Sequence, residues 1–290
     1  MKVTNTRTIG RKLIYSAVVA GMLITGTASA HQTYLISDLY ELRPGTDNYL
    51  ILKNGTYHES GYSITRKMSR DISIVMGGQR RTPPDDDVED VDDNPSYLST
   101  YIKVVAKPEG TALAGIAAHP DYIALPAEIF ENYLKHEGLV DAVAEFRETN
   151  NLQTIRERYT KHAKALFQVG KPLTDDYKLE LGYKAEIFVE KNPGELGVGD
   201  EMPIRVFFEG KPLVNQILYV GHASQETPEQ TPIPEVSEYT LRTAKDGRAS
   251  FTITKPGKWY IQMIHMQKID DEDADYESNW STITFAITRD

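Results

Sequence analysis

Seven histidines and no cysteine confine metal-ligating or nucleophilic chemistry in this chain to imidazole, carboxylate, hydroxyl and amine groups. A thiolate zinc site, a cysteine nucleophile, a disulfide scaffold and a lipidated N-terminal cysteine are excluded. Among the histidines His31 stands out by position. Lys2, Arg7, Arg11 and Lys12 precede an apolar stretch, Leu13 to Thr25, and Ala28-Ser29-Ala30 supplies small residues at the −3 and −1 positions of a cut. That is the three-part pattern of a secretory signal peptide over residues 1–30, with an apolar run shorter than the ~20 residues of a spanning helix. Cleavage after Ala30 makes His31 the first residue of the mature chain. Its α-amine, with a pKa of about 7.7–8.0, and its imidazole Nδ1 can then chelate one divalent ion together.

His265 is the second candidate. Trp259, Ile261 and Met263 share its face of a strand, so its ring is expected to turn inward near a sheet edge. The segment Asp270-Asp271-Glu272-Asp273-Ala274-Asp275-Tyr276-Glu277 follows at once. Oxygen donors beside imidazole suit a divalent cation, and a satisfied core histidine beside a polar loop is the plain alternative. His222, ending the Ile217–Val220 run, is a weaker third candidate. His58 and His119 fall in loops, and His136 and His162 are placed on solvated helix faces. The expected metal site is therefore His31, His265 and Glu277. Two imidazoles, an amine and a carboxylate suit nickel or cobalt, with copper a competitor because such nitrogen donors favour Cu(II).

No Gly-rich phosphate loop follows a strand, no serine sits in a nucleophile elbow, and His-Glu-x-x-His is absent, so the chain reads as a non-enzyme. The full sequence carries 42 acidic against 32 basic side chains. Losing the four basic residues of the leader leaves 28 against 42, a net of −14, which argues against nucleic acid as a partner. No later segment is long and apolar enough to cross a bilayer. The expected protein is periplasmic or otherwise exported, without membrane insertion.

The elements that must position these residues alternate apolar and polar side chains. Thr33–Ile36, Tyr49–Leu52, Ile72–Met76, Tyr97–Val105 and Ala114–Ala118 read as strands. From Pro126 the period becomes helical, with Ile129, Phe130, Tyr133 and Leu134 on one stripe, then Leu139–Phe146 and Ile155–Phe167 as further helices. Beyond a linker at 170–176, alternation returns and Asp246-Gly247 signals a hairpin. The predicted fold is mainly β, with two β-sandwich-like domains. The N-terminal β domain spans 31–170, with a short helical segment at 126–168. The second, an immunoglobulin- or transthyretin-like sandwich at 177–290, is expected to fold alone. The acidic run Asp85–Asp93 lacks the central Gly and closing Glu of a calcium loop and reads as a solvated, mobile loop.

Several segments together carry a resemblance. They are His31-Gln32-Thr33-Tyr34-Leu35, Leu125 through Leu134, Arg156-Glu157-Arg158-Tyr159, Ala163-Lys164-Ala165-Leu166 and Gly210-Lys211-Pro212-Leu213. Asp246-Gly247-Arg248, Trp259 through His265-Met266, and Asp273 through Ser278 with Trp280 complete the set. The pattern resembles an exported domain-of-unknown-function family labelled nickel-uptake transporter family proteins. The resemblance implies an extracytoplasmic metal-binding companion of a cobalt/nickel membrane transporter. It maps the family's post-cleavage His onto His31, its His-Met pair onto His265-Met266 and its Glu onto Glu277. Gln32 stands where Asp is usual, Tyr276 where Trp is common, and the acidic stretch 85–93 is atypical. Two other classes compete: a non-metal carbohydrate- or peptide-binding sandwich with structural histidines, and an oxidative copper enzyme using a terminal-histidine brace.

Overall fold

The computed structural model describes residues 32–94, 96–224 and 231–289. The leader, the cut after Ala30 and His31 therefore lie outside the described residues. In chain order the first part contains β1 (Gln32–Ser37), β2 (Glu41–Leu42), β3 (Asp47–Gly55), β4 (Ser60–Tyr62), β5 (Ser69–Met76), β6 (Gln79–Arg81), β7 (Val88–Asn94), β8 (Tyr97–Val105), β9 (Gly110–Ala118) and β10 (Asp121–Pro126). Two helices, α1 (Ala127–His136) and α2 (Val140–Thr149), lead into the long strand β11 (Thr154–Val169). After the linker come β12 (Ala185–Val189), β13 (Glu201–Phe208), β14 (Lys211–Pro212), β15 (Ile217–His222), α3 (Ile233–Val236), β16 (Tyr239–Arg242), β17 (Arg248–Thr252), β18 (Gly257–Lys268) and β19 (Tyr276–Ile287). The fold is mainly β.

A ten-stranded sheet in the order β16-β15-β18-β19-β11-β9-β5-β6, with β10 and β2 also on β11, forms the centre. The four-stranded sheet of β12, β13, β14 and β17 packs on one of its faces through Ile187, Ile204, Val206, Phe251, Trp259, Ile261, Phe285 and their neighbours. The five-stranded sheet β1-β3-β8-β7, with β4, covers part of the opposite face through Leu35, Leu50, Leu52, Ile102, Ala114, Ala163 and Phe167. The helices cover the rest of that face. Phe130, Tyr133 and Leu134 recur at helical spacing on α1 and meet Phe146, Ile155, Tyr276 and Trp280. Gly138 ends this helix with φ +71°, and any Cβ there would strike the Tyr219 hydroxyl, which donates to the Gly138 carbonyl at 2.8 Å.

Three expectations are corrected. The segment 126–168 is helical only as far as Thr149, and Ile155–Phe167 lies within β11. The cause is burial of both faces of a central strand. Ile155 and Glu157 point one way, His162 and Lys164 the other, and each is at most 2% exposed. Polar side chains paired in the interior hide the period of two. His162 is accordingly a core residue, not a solvated one. The acidic run is likewise a short 3-10 turn, Asp85–Asp87, followed by β7, paired antiparallel to β8 at the edge of its sheet. Carboxylates along an edge strand keep other chains from pairing with it. Asp90 also accepts from the Arg66 backbone amide at 2.8 Å and the Thr100 hydroxyl at 2.9 Å.

The central sheet also crosses the expected boundary near 170, because β11 pairs in parallel with β19 from Glu157 opposite Tyr276 to Ala165 opposite Thr284. Residues 177–290 expressed alone would leave that side of β19 as an unpaired central edge. The expected result is a self-associating fragment, read by size-exclusion chromatography. A monomer with a cooperative melt would show that the sandwich needs nothing from β11.

Candidate functional site

His265 and Glu277 come to the same face of the large sheet, the face under the four-stranded sheet. The antiparallel register sets His265 opposite Asn279 and Gln267 opposite Glu277. His265 is half-buried, with the Phe208 ring centroid 4.4 Å from its own and Nδ1 3.2 Å from Gln216 Oε1. Gln216 Nε2 donates to the carbonyls of Ile217 and Ile264 at 2.9 and 3.0 Å, so its Oε1 is the acceptor and His265 Nδ1 carries the proton. This assignment leaves a lone pair on Nε2. Burial holds the imidazole below its ordinary pKa and keeps it neutral near pH 7.

The carboxylates nearby are already balanced. Glu277 Oε1 accepts from Arg158 at 3.1 Å, and Oε2 from Lys184 at 2.7 Å and Gln267 at 3.1 Å. Burial pushes its pKa up, and these donors outweigh it to hold the carboxyl below the usual range. Arg158 also donates to Asp271 at 2.9 Å, and Arg156 grips Asp275 at 2.9 and 3.2 Å. A metal ion at Glu277 would have to displace an arginine or a lysine. Asn279, fully buried beside them, has both amide atoms unpartnered. His222 uses both ring nitrogens structurally, Nδ1 with Ser224 Oγ at 2.8 Å and Nε2 with the Pro256 carbonyl at 3.0 Å. Among the described residues no group of three or more His, Asp or Glu side chains is arranged to hold a metal ion.

On the opposite face of β19 lies a second polar cluster, at the start of β1. All six residues of β1 are buried. The hydroxyls of Thr282 and Thr284 donate to the carbonyls of Thr33 and Leu35 at 2.7 and 2.5 Å, and the Tyr34 hydroxyl donates to Gln262 Oε1 at 2.5 Å. These bonds lock β1 across β18 and β19. Gln32, 3% exposed, has an unpartnered Oε1. Thr33 pairs with Asn54, whose Oδ1 accepts from Lys161 Nζ at 2.8 Å. Lys161 Nζ in turn stands 5.3 Å from the centre of the Trp280 ring.

Two buried acids complete this cluster. Glu157 Oε1 accepts from the hydroxyls of Tyr133, at 3.2 Å, and Ser278, and Ser278 itself accepts from Trp280 Nε1 at 2.9 Å. Burial pushes Glu157 up to about 7 despite these donors. Glu137 follows the last residue of α1, is 3% exposed, and has no partner for Oε2. Burial raises its carboxyl well above the ordinary range, with Lys161 pulling it down and Glu157 adding to the rise. Lys161 feels both acids, yet burial lowers its amine to about 8. Beside it a cavity of about 230 Å³ opens between Asn54, His119, Asp121, Tyr159 and Lys161. The Tyr159 hydroxyl donates to Asp121 at 2.9 Å.

Glu137, Glu157 and Lys161 are absent from the sequence-derived site. Reading β11 as a helix hid the last two. For Glu137 a signal exists: an acid next to a helix-ending glycine faces the negative end of the helix dipole, an unfavourable place that calls for compensation.

The family model described as "Domain of unknown function (DUF4198)" matches residues 28–267. Among solved structures, the D0-D1 domain of intimin is similar at 12% identity and TM-score 0.21, covering 88% of this chain and 98% of that one. Bovine butyrophilin gives 10% identity and TM-score 0.21 over the same shares. The adhesin InvE of Yersinia pseudotuberculosis gives 12% identity and TM-score 0.22, covering 90% of this chain and 61% of that one. A search of curated proteins finds no match.

Proposed function

The chain belongs to the DUF4198 family, a domain of unknown function, and from that premise we propose that it is an exported protein that binds a divalent transition metal, nickel or cobalt, and supports its uptake. The ion is cargo, and the chelating anchor is His31, through its α-amine and imidazole once the leader is removed. The observation that carries this reading is the fixed start of β1. Gln32 is buried and its strand is tied to Thr282, Thr284 and Gln262, so the first described residue after the expected cut is rigidly held. A chelate built on a rigid base binds with less ordering cost than one on a loose tail. The resemblance of the quoted segments to nickel-uptake family proteins supports the choice of ion.

His265 offers a neutral imidazole with a free lone pair on the opposite face, but the acids around it are spent on Arg156, Arg158 and Lys184. It lies across the sheet from the start of β1 and is therefore no ligand of an ion held there. The test is thermal melting of mature protein starting at His31, with and without Ni²⁺ or Co²⁺. At a hundredfold excess over Kd the gain is about 2.7 kcal/mol, or roughly 5–10 °C for a domain of this size. One extra N-terminal Gly breaks the amine–imidazole chelate and is expected to weaken binding at least about tenfold. A melt that no divalent ion moves would end this reading.

A further inference from the structure

We propose that the cavity at the C-terminal ends of β2, β11 and β19 binds a small organic anion with two or more carboxylates, held by Arg43, Lys171 and Arg289. None of these residues belongs to the metal-binding reading above.

Strand pairing brings the three cations to one place. β19 runs parallel to β11 as far as Thr284 opposite Ala165. β2 then takes over that side of β11, also parallel, with Glu41 opposite Gln168 and Leu42 opposite Val169. The Thr288 hydroxyl donates to Glu41 at 2.6 Å and ties the end of β19 to β2. The three strands therefore end together, and Arg43, Lys171 and Arg289 stand one or two residues past their ends.

The cavity that they line has a volume of about 560 Å³. That lies within the roughly 300–1,000 Å³ of small-molecule pockets and exceeds what one inorganic ion fills. Leu42, Leu166 and Phe167 give it a buried apolar wall. The remaining walls are fixed to the sheet. Gln168 Nε2 donates to the Pro172 carbonyl at 2.6 Å, and Asn192 Nδ2 donates to Thr111 Oγ1 at 2.7 Å.

Charge decides the class of ligand. Among the described residues that line the cavity three are cations and one, Glu41, is an acid, in a chain of formal net charge −10. No carboxylate among the described residues pairs with Arg43, Lys171 or Arg289, and Arg289 Nη1 donates to the Glu195 carbonyl at 3.0 Å. Arg156, Arg158, Lys164 and Lys184, by contrast, are each matched to an acid. Unbalanced cations around a preformed cavity concentrate anions there. Guanidinium groups bind carboxylates through paired, charge-assisted hydrogen bonds, and three separate cations call for more than one carboxylate. The apolar wall receives the carbon skeleton between them.

Calorimetric titration of the purified protein with tricarballylate, a tricarboxylate, in metal-free buffer tests this. Binding is expected, and it should weaken with added salt. The trimethyl ester, and inorganic phosphate at equal ionic strength, are expected to bind at least about tenfold more weakly. The triple variant Arg43→Gln, Lys171→Gln, Arg289→Gln is expected to melt at the wild-type temperature, because none of these side chains pairs with an acid, and to bind at least about tenfold more weakly. Glu41→Gln, which removes the opposing charge, is expected to bind more tightly. A wild type that binds no tricarballylate, equal binding of the ester or of phosphate, or unchanged affinity in the triple variant overturns the assignment. So does a Glu41→Gln protein that binds no more tightly. A triple variant that fails to fold also overturns it, because the cations would then be structural.

Discussion

Replacing Glu186 by leucine is expected to destabilise the protein by about 3–5 kcal/mol, the cost of leaving a buried charge without its partner. Glu186 and Lys164 form an ion pair at 3.3 Å, with side chains 5% and 2% exposed. The two ends of the pair are not equivalent. Glu186 also accepts from three backbone amides, Leu181 at 3.2 Å, Gly182 at 2.9 Å and Tyr183 at 3.2 Å. Among the described residues the other close partner of Lys164 is the face of Phe188, 3.9 Å from Nζ to the ring centre. Burial already lowers the Lys164 amine against the pull of Glu186. Without the acid the lysine must lose its proton or admit water, and three amides lose their acceptor. Lys164→Met leaves Glu186 still held by those amides and is expected to cost only about 1–2 kcal/mol. Adding Lys164→Met to Glu186→Leu should then restore part of the stability, because the stranded charge is gone. Urea unfolding of the two single variants and the double variant measures this cycle. Equal costs for the two single variants would show that the amides carry none of the stabilisation of Glu186. The pair joins β11 to β12, so the cycle also reports how firmly the chain on either side of residue 170 is clamped together.

The strands were legible where one face is apolar and the other wet. Tyr97–Val105 is β8 to the residue; the Thr33–Ile36 reading lies inside β1, which is buried on both faces and was legible from its apolar run instead. The α1 stripe was legible for the same reason as β8, since Phe130, Tyr133 and Leu134 all face inward. β11 was not, because its interior positions include Glu157, His162 and Lys164, and hydrophobic periodicity cannot see a polar residue that is paired in the core. Its partner β19 lies more than a hundred residues away in a parallel register, and no local pattern announces such a pairing. At the site, the sequence brought His265 and the acidic segment ending at Glu277 together only by proximity along the chain; their shared face is set by the β18–β19 register. The cations that occupy Glu277 come from β11 and from the approach to β12, so its charge balance was invisible to any reading of its own neighbourhood.

The second large effect concerns pH. His162 in β11 is 1% exposed, its ring stacks on Tyr183 at 5.5 Å, Nδ1 lies 3.0 Å from the Trp280 carbonyl, and Nε2 is buried without a partner. Nδ1 therefore donates to the carbonyl, and charging the ring would bury a proton on Nε2 with nothing to accept it. Burial lowers the pKa to about 4. The Trp280 carbonyl and Glu186 pull it upward, and Arg70 and Lys184 push it further down. A histidine whose folded pKa lies below its unfolded value of 6.5 takes up fewer protons in the folded state. Its stabilisation is full above pH 6.5 and is lost as pH falls toward 4. At 1.36 kcal/mol per pKa unit the loss is about 2 kcal/mol by pH 5 and about 3 kcal/mol by pH 4. Glu157 acts in the opposite sense. Its pKa is raised to about 7, so its contribution is full below 4.5 and is lost as pH rises through 7. Glu157, and Glu137 whose carboxyl burial also raises, oppose the His162 contribution, so a pH profile of the wild type alone does not isolate it. His162→Phe keeps the ring against Tyr183 and removes the titration. Relative to wild type, its stability is expected to improve by about 2 kcal/mol between pH 7 and pH 5, measured by urea unfolding at both values. A difference that stays constant with pH would mean that His162 protonates as readily in the folded chain as in the unfolded one, which a sealed Nε2 does not allow.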